Sequence, residues 1–302
     1  MWFLLSLGAL LAWSGSDLFT KMGSNPNNKR SHLKAIVAVG VIMGIMALIE
    51  ILTTDVVVTW DVFVAYLPAS ILYIVSMALG YVGLRYIELS ISSPICNCSG
   101  GLVTLLCCIF LQAELGALDI AGVVAIILGV VLLAITEMNE DEQSRLLRQD
   151  KANVKYTKSF IALLFPLLYC FLDAAGTFAD AIILETLDEA AANISYELTF
   201  FAVAVVAFII LIVKKEKLIV KTDKHFAFGG ICETAGQFAY VYALAARPEL
   251  AAPIISCYCA VSVLWSRIFL KEKLTKKHYI SIAIAFLGIL LLGISEGLAE
   301  LA

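Results

Sequence analysis

The sequence predicts an all-α integral membrane protein: ten transmembrane helices arranged as two five-helix inverted-topology repeats. Three observations predict it. The first is composition. Of 302 residues, 61% are hydrophobic and 15% charged, whereas soluble domains run nearer 25% charged; the mean hydropathy is +0.94. The second is the apolar blocks, each about 20 residues, the length of helix that crosses a ~30 Å hydrocarbon core. Inside lipid a helix pairs every backbone amide within its own segment. The third is a duplication. Residues 81–137 slide onto 240–296 at an offset of 159 without a gap, and 16 of the 57 positions are identical. Tyr81/Tyr240, Pro94/Pro253, Cys98/Cys257, Gly129/Gly288 and Glu137/Glu296 are among them. Shared apolar composition alone does not bring such residues into register.

The spans are expected at 2–22, 33–53, 63–84, 89–111, 117–136, 159–183, 196–213, 226–246, 250–270 and 277–297. Met1-Trp2-Phe3-Leu4-Leu5 lacks the basic residues of a signal peptide and has a counterpart at 159–183, so it opens span 1. Asn25-Pro26-Asn27-Asn28 reads as a turn. Residues 1–136 form the first repeat, 137–158 a charged cytoplasmic linker, and 159–302 the second repeat. Asn193-Ile194-Ser195 matches a glycosylation pattern and falls in an expected outer loop. The eight cysteines all lie in or beside apolar blocks. They read as free thiols packed between helices, not as a disulfide framework or a zinc site.

Orientation follows from the basic residues. The loops after spans 1, 3, 5, 7 and 9, with their flanks, hold 20 of the 21 Lys and Arg; only Arg247 lies elsewhere. By the positive-inside rule those loops are cytoplasmic, and both termini of this multi-pass cell-membrane protein are extracytoplasmic. With five spans per half, the halves then insert in opposite directions. Inverted repeats of this kind are a plan of secondary transporters, whose site lies near midplane between the halves.

Ionisable residues inside spans are costly and mark candidate sites. Trp13 and Asp17 in span 1 share a helical face, as do Tyr169 and Asp173 in span 6. An aromatic plus a carboxylate in each half is a seat for an organic cation. For Asp17, an i,i+4 pair with Lys21 is the competing reading. Span 8 carries a polar stripe of Glu233, Gln237 and Tyr240. The corresponding stripe in span 3 is Tyr73, Met77 and Tyr81, with Ile74 where Glu233 would fall. The scaffold is duplicated and this acid is not. Asn97 and Ser99 in span 4, and Ser256 and Tyr258 in span 9, follow the paired prolines, which free backbone carbonyls there. Asp180, two turns past Asp173, is read as near the outer mouth, where a solvated residue is as expected as a functional one, and Glu50 and Glu88 as solvated span-end residues.

The chain resembles the drug/metabolite transporter superfamily, specifically its EamA-like ten-helix members. The resemblance rests on two copies of a Pro-containing helix, an acidic hinge, and a helix with a central Gly followed by aliphatics. These read Pro253, Phe269-Leu270-Lys271-Glu272-Lys273-Leu274-Thr275 and Leu287-Gly288-Ile289-Leu290-Leu291, then Pro94, Glu114-Leu115 and Leu128-Gly129-Val130-Val131-Leu132. Trp13 early in span 1 also fits. In the first hinge Ala113 aligns with Glu272, and the acid sits one residue later. The termini-out orientation departs from the termini-in arrangement of similar proteins. The resemblance implies a central cavity surrounded by spans 1, 3, 4, 6, 8 and 9, with spans 5 and 10 peripheral.

The function expected is secondary active transport of a small polar or cationic metabolite, an amine or amino acid, by alternating access. A membrane-embedded lipid-modifying enzyme and a non-transporting scaffold or sensor are the competing classes. No P-loop, metal-spaced His cluster or nucleophile elbow appears in the sequence, so no catalytic residue, metal or cofactor is expected. The expected partners are a small-molecule substrate and the lipid bilayer, not nucleic acid, with the protein a monomer or homodimer. The expected substrate-binding residues are Trp13, Asp17, Tyr73, Tyr81, Asn97, Tyr169, Asp173, Glu233, Gln237, Tyr240 and Tyr258. Asp173 and Glu233 are the candidates for proton coupling.

Overall fold

The structure is a computed structural model and describes residues 1–24, 30–87, 89–138, 160–217 and 220–301. Among these residues every regular element is a helix. Span 1 is Trp2–Gly23, span 2 Ser31–Thr53, span 3 Trp60–Gly83 and span 5 Ala117–Met138. Span 6 is Phe160–Leu184, span 7 Glu189–Val213, span 8 Val220–Ala246 and span 10 Lys276–Leu301. Spans 4 and 9 are each broken. Span 4 is Leu89–Cys96 followed by Ser99–Phe110; span 9 is Pro248–Ser256 followed by Tyr258–Trp265 and a π-helical turn, Ser266–Leu270. The turn 25–28, the linker beyond Met138, and Glu88 lie outside the described residues.

Nine of the described spans are long and apolar enough to cross a membrane. The remaining one, span 8, carries Lys221, Asp223 and Lys224 in its first turns and Glu233 near its middle. Those charges dilute its hydropathy, yet it packs closely on spans 1 and 2. The outer faces of the bundle are aliphatic: Leu48, Leu52, Val206 and Ile212 are all exposed, as lipid-facing side chains must be. This is a multi-pass membrane protein.

The breaks in spans 4 and 9 share a feature: each follows within a turn of a duplicated proline. Pro94 and Pro253 lack an N–H and crowd the carbonyl one turn back, which weakens the helix there. In span 4 the turn is closed by Asn97, whose side-chain amide donates to the Ser93 carbonyl at 2.8 Å. The two broken spans cross at Gly100. A Cβ there would lie 2.2 Å from Ser256 Oγ and 2.8 Å from the Ala252 carbonyl oxygen, so glycine is what permits the crossing.

Span 7 starts seven residues before the sequence expectation. Asp188 caps it, its carboxylate accepting from the Ala191 N–H at 3.0 Å. The first turns hold Asn193, Ser195 and Glu197, polar residues that an apolar count discards, and all three are buried. Asn193-Ile194-Ser195 is therefore inside a helix and buried, not in an outer loop. Glu50 is likewise buried instead of solvated, and accepts from Asn193.

Packing follows the duplication. Span 1 packs on span 8, and their counterparts, spans 6 and 3, pack on each other. Span 2 packs on span 8 as span 7 does on span 3, while spans 2 and 7, 4 and 9, and 5 and 10 pack as counterpart pairs. This reciprocity is what a pseudo-twofold between the halves produces. The duplicated Gly129 and Gly288 sit where spans 5 and 10 meet backbone to backbone. A Cβ on Gly129 would lie 2.6 Å from the Ala285 nitrogen, and one on Gly288 2.6 Å from the Gly122 oxygen. Small residues let membrane helices approach this closely. Gly288→Leu is expected to force the pair apart and cost about 1–3 kcal/mol, read as a lower Tm in detergent. An unchanged Tm would count against the crossing.

Candidate functional site

The centre of the bundle holds a cavity of about 950 Å³ including its opening, lined by spans 1, 3, 4, 6, 7, 8 and 9. Its walls are built by the breaks and polar stripes just described. All eleven residues singled out from sequence line it: Trp13, Asp17, Tyr73, Tyr81, Asn97, Tyr169, Asp173, Glu233, Gln237, Tyr240 and Tyr258. Spans 5 and 10 contribute none. Span 7, which the resemblance left out of the ring, adds Tyr196.

Three carboxylates meet here, and no Lys, Arg or His is among the described lining residues. Asp17 accepts from Ser93 Oγ of span 4 at 2.5 Å and Ser262 Oγ of span 9 at 2.8 Å. The serines, and not Lys21, hold it: the Lys21 ammonium donates to the carbonyls of Leu84 at 2.7 Å and Ile87 at 2.5 Å. Asp173 accepts from Ser99 Oγ at 2.7 Å, just after the break in span 4. Each half thus supplies a mid-span aspartate fixed by a serine of a broken helix. Glu233 is approached by Ser16 of span 1, and the Glu233 backbone carbonyl accepts from Trp13 Nε1 at 3.3 Å.

Aromatic rings frame these acids. Trp13 packs against Tyr240 with centroids 5.1 Å apart and edge-on to Tyr258 at 5.9 Å. Tyr73 stands perpendicular to both Tyr240 and Tyr196. The Tyr81 hydroxyl and the Gln237 side-chain NH₂ are buried without a protein partner, so two donors are left for whatever occupies the cavity.

Sequence reasoning undervalued Asp180. It is fully buried rather than solvated, and accepts from Tyr73 Oη at 3.3 Å. Tyr73 Oη in turn shares a short hydrogen bond with Tyr240 Oη. This joins spans 3, 6 and 8 at one end of the cavity. The signal was present: Asp180 is seven residues past Asp173 and so on the same helical face.

Residues 160–294 match the model of the EamA-like transporter family. No curated protein matches the sequence at a significant level. A solved crystal structure shares the fold over 97% of this chain and 96% of its own, with a TM-score of 0.68 and 14% identity; that likeness shows the fold alone. The family match covers spans 6–10, and the first five spans repeat the same plan. The second half of the chain, residues 160–294, is thus similar to the EamA-like transporter family.

Proposed function

We propose that the protein is a secondary active transporter that moves a small cationic or zwitterionic metabolite, such as an amine or amino acid, by alternating access coupled to protons. One observation carries this reading: a central cavity between the two halves, walled by three carboxylates and a set of aromatic rings, with no basic residue among the described lining residues. The carboxylates attract an ammonium group, and the faces of Trp13, Tyr169, Tyr81 and Tyr240 favour it through their quadrupoles. Asp17 and Asp173, one from each half, flank the substrate. Glu233, which the duplication did not copy, carries the exchanged proton. The Tyr73–Tyr240–Asp180 cluster closes one end of the cavity and must part when that end opens. An enzyme acting on lipid would place its acids at headgroup level; these sit mid-span.

The test is a thermal-shift screen on detergent-purified protein. Amines or amino acids are expected to raise Tm. A response confined to lipid headgroups would move the reading to the enzyme.

Both termini extracytoplasmic and the 137–158 segment cytoplasmic is the orientation that the basic residues support. Single cysteines at Ser144 and Thr186, in a cysteine-free background, report it through an impermeant maleimide on intact cells. Labelling is expected at Thr186 and not at Ser144. The reverse pattern would invert the orientation.

A further inference from the structure

Away from the central cavity, spans 2 and 7 bury a second set of acidic and polar groups. Glu50 of span 2 is 6% exposed, and Asn193 and Glu197 of span 7 are fully buried. Asn193 Nδ2 donates to both Glu50 oxygens, at 3.2 and 3.3 Å. That leaves Asn193 Oδ1 without a partner, and both oxygens of Glu197, one turn along the same face, also lack one. No ion pair reaches either glutamate among the described residues. The neighbouring titratable groups are Tyr196 beside Glu197, Tyr242 of span 8 near Glu50, and Asp188 and Glu189 at the start of span 7; none supplies positive charge.

The group is chemically incomplete in a defined way. Two carboxylates and one amide oxygen converge, three of their five acceptor atoms without a partner, and Asn193 Nδ2 is the only donor these three residues hold. Buried carboxylates are tolerated when they are paired, protonated or coordinated to a cation. What is missing is positive charge, at least one unit for the two carboxylates. A proton on Glu197 would donate to Asn193 Oδ1 and close a chain from Glu197 through Asn193 to Glu50. A sodium ion would take the same oxygens as ligands, since hard cations bind carboxylate and amide oxygen.

We infer that Glu50, Asn193 and Glu197 form a small-cation site, for a proton or Na⁺, between spans 2 and 7 and separate from the substrate cavity. Spans 2 and 7 are repeat counterparts packed on each other, so the site straddles the contact between the two halves. Glu197 adjoins Tyr196, which lines the central cavity and packs on Tyr73 of the closing cluster. Occupation of the site is therefore positioned to bias how the halves close.

The experiment reads binding and does not depend on transport. Purified wild type and Glu197→Gln are compared by Tm in two arms, with ionic strength held constant. In the first, Na⁺ replaces choline at fixed pH. In the second, pH is lowered in sodium-free buffer, and protonated-carboxyl bands are compared by infrared difference spectroscopy. If Na⁺ is the occupant, it raises Tm of the wild type and not of Glu197→Gln. If the occupant is a proton, the wild type gains stability relative to Glu197→Gln as pH falls, and loses that gain as pH rises. It then shows a carboxyl band absent from the variant. Glu50→Gln reads the site from span 2 should Glu197→Gln fail to fold. Identical responses of wild type and variant in both arms would overturn the site. Because amine binding in the central cavity is scored separately, failure here leaves the transport reading standing, and the converse.

Discussion

Glu233→Gln is expected to abolish substrate accumulation driven by a pH gradient while leaving downhill exchange intact. Glutamine keeps the shape, and its carbonyl can still accept from Ser16, which approaches Glu233 across the span 1–span 8 contact. What it loses is the ability to bind and release a proton. A coupling carboxylate holds a proton in one conformation and yields it when the ammonium group arrives, because the dry cavity disfavours three unneutralised negative charges. With the amide, the cavity still binds and turns over, so exchange of labelled for unlabelled substrate persists. Accumulation above equilibrium disappears entirely, since no second species is tied to the cycle. Full gradient-driven accumulation by this variant would assign Glu233 to helix packing.

Asp173→Asn is expected to weaken substrate binding by about 2–4 kcal/mol, roughly 30- to 1,000-fold in Kd, the cost of removing one partner of a desolvated charge pair. The asparagine side-chain carbonyl can still accept from Ser99, as the aspartate does, so stability in detergent should hold and the loss belongs to binding. Asp17→Asn should behave alike, its oxygen still bonded to Ser93 and Ser262. Trp13→Ala removes only a cation–π face and should cost less, about 0.5–2 kcal/mol. That ranking, acids above aromatic, separates charge recognition from simple hydrophobic filling of the cavity. It is checked by titrating the thermally stabilising amine against each variant. Equal losses at Trp13 and Asp173 would favour hydrophobic filling.

The spans, their duplication and the residues of the cavity wall were legible because membrane insertion leaves strong marks in a sequence. Apolar length sets each helix, and mid-span acids survive only where the interior gives them partners. Asp17, Asp173 and Glu233 were visible for that reason. The duplicated prolines marked spans 4 and 9 as places where backbone carbonyls are freed, but the breaks there and the close span 5–span 10 crossing emerge only from the structure. What stayed hidden was partner identity. Nothing in sequence selects Ser93 and Ser262 over Lys21 for Asp17, because those contacts are made between spans far apart in the chain. The early start of span 7 was missed because Asn193 and Ser195 read as loop until their burial is known. Glu50 and Asp180 failed in the same way: both sit toward a span end, where solvent is the default assignment, yet both are sequestered by neighbouring helices.

The central claim is that the cavity carries a cation across the bilayer in exchange for protons. The measurement that tests it most directly is uptake into acid-loaded proteoliposomes of a panel of organic amines and amino acids, each paired with a neutral or anionic analogue of similar size. Internal pH is followed at the same time. Accumulation of at least one cationic or zwitterionic compound, with internal alkalinisation that tracks its uptake, is the predicted result. Uptake no greater than in protein-free liposomes for every cation, or a preference for the anionic analogues, would contradict the claim.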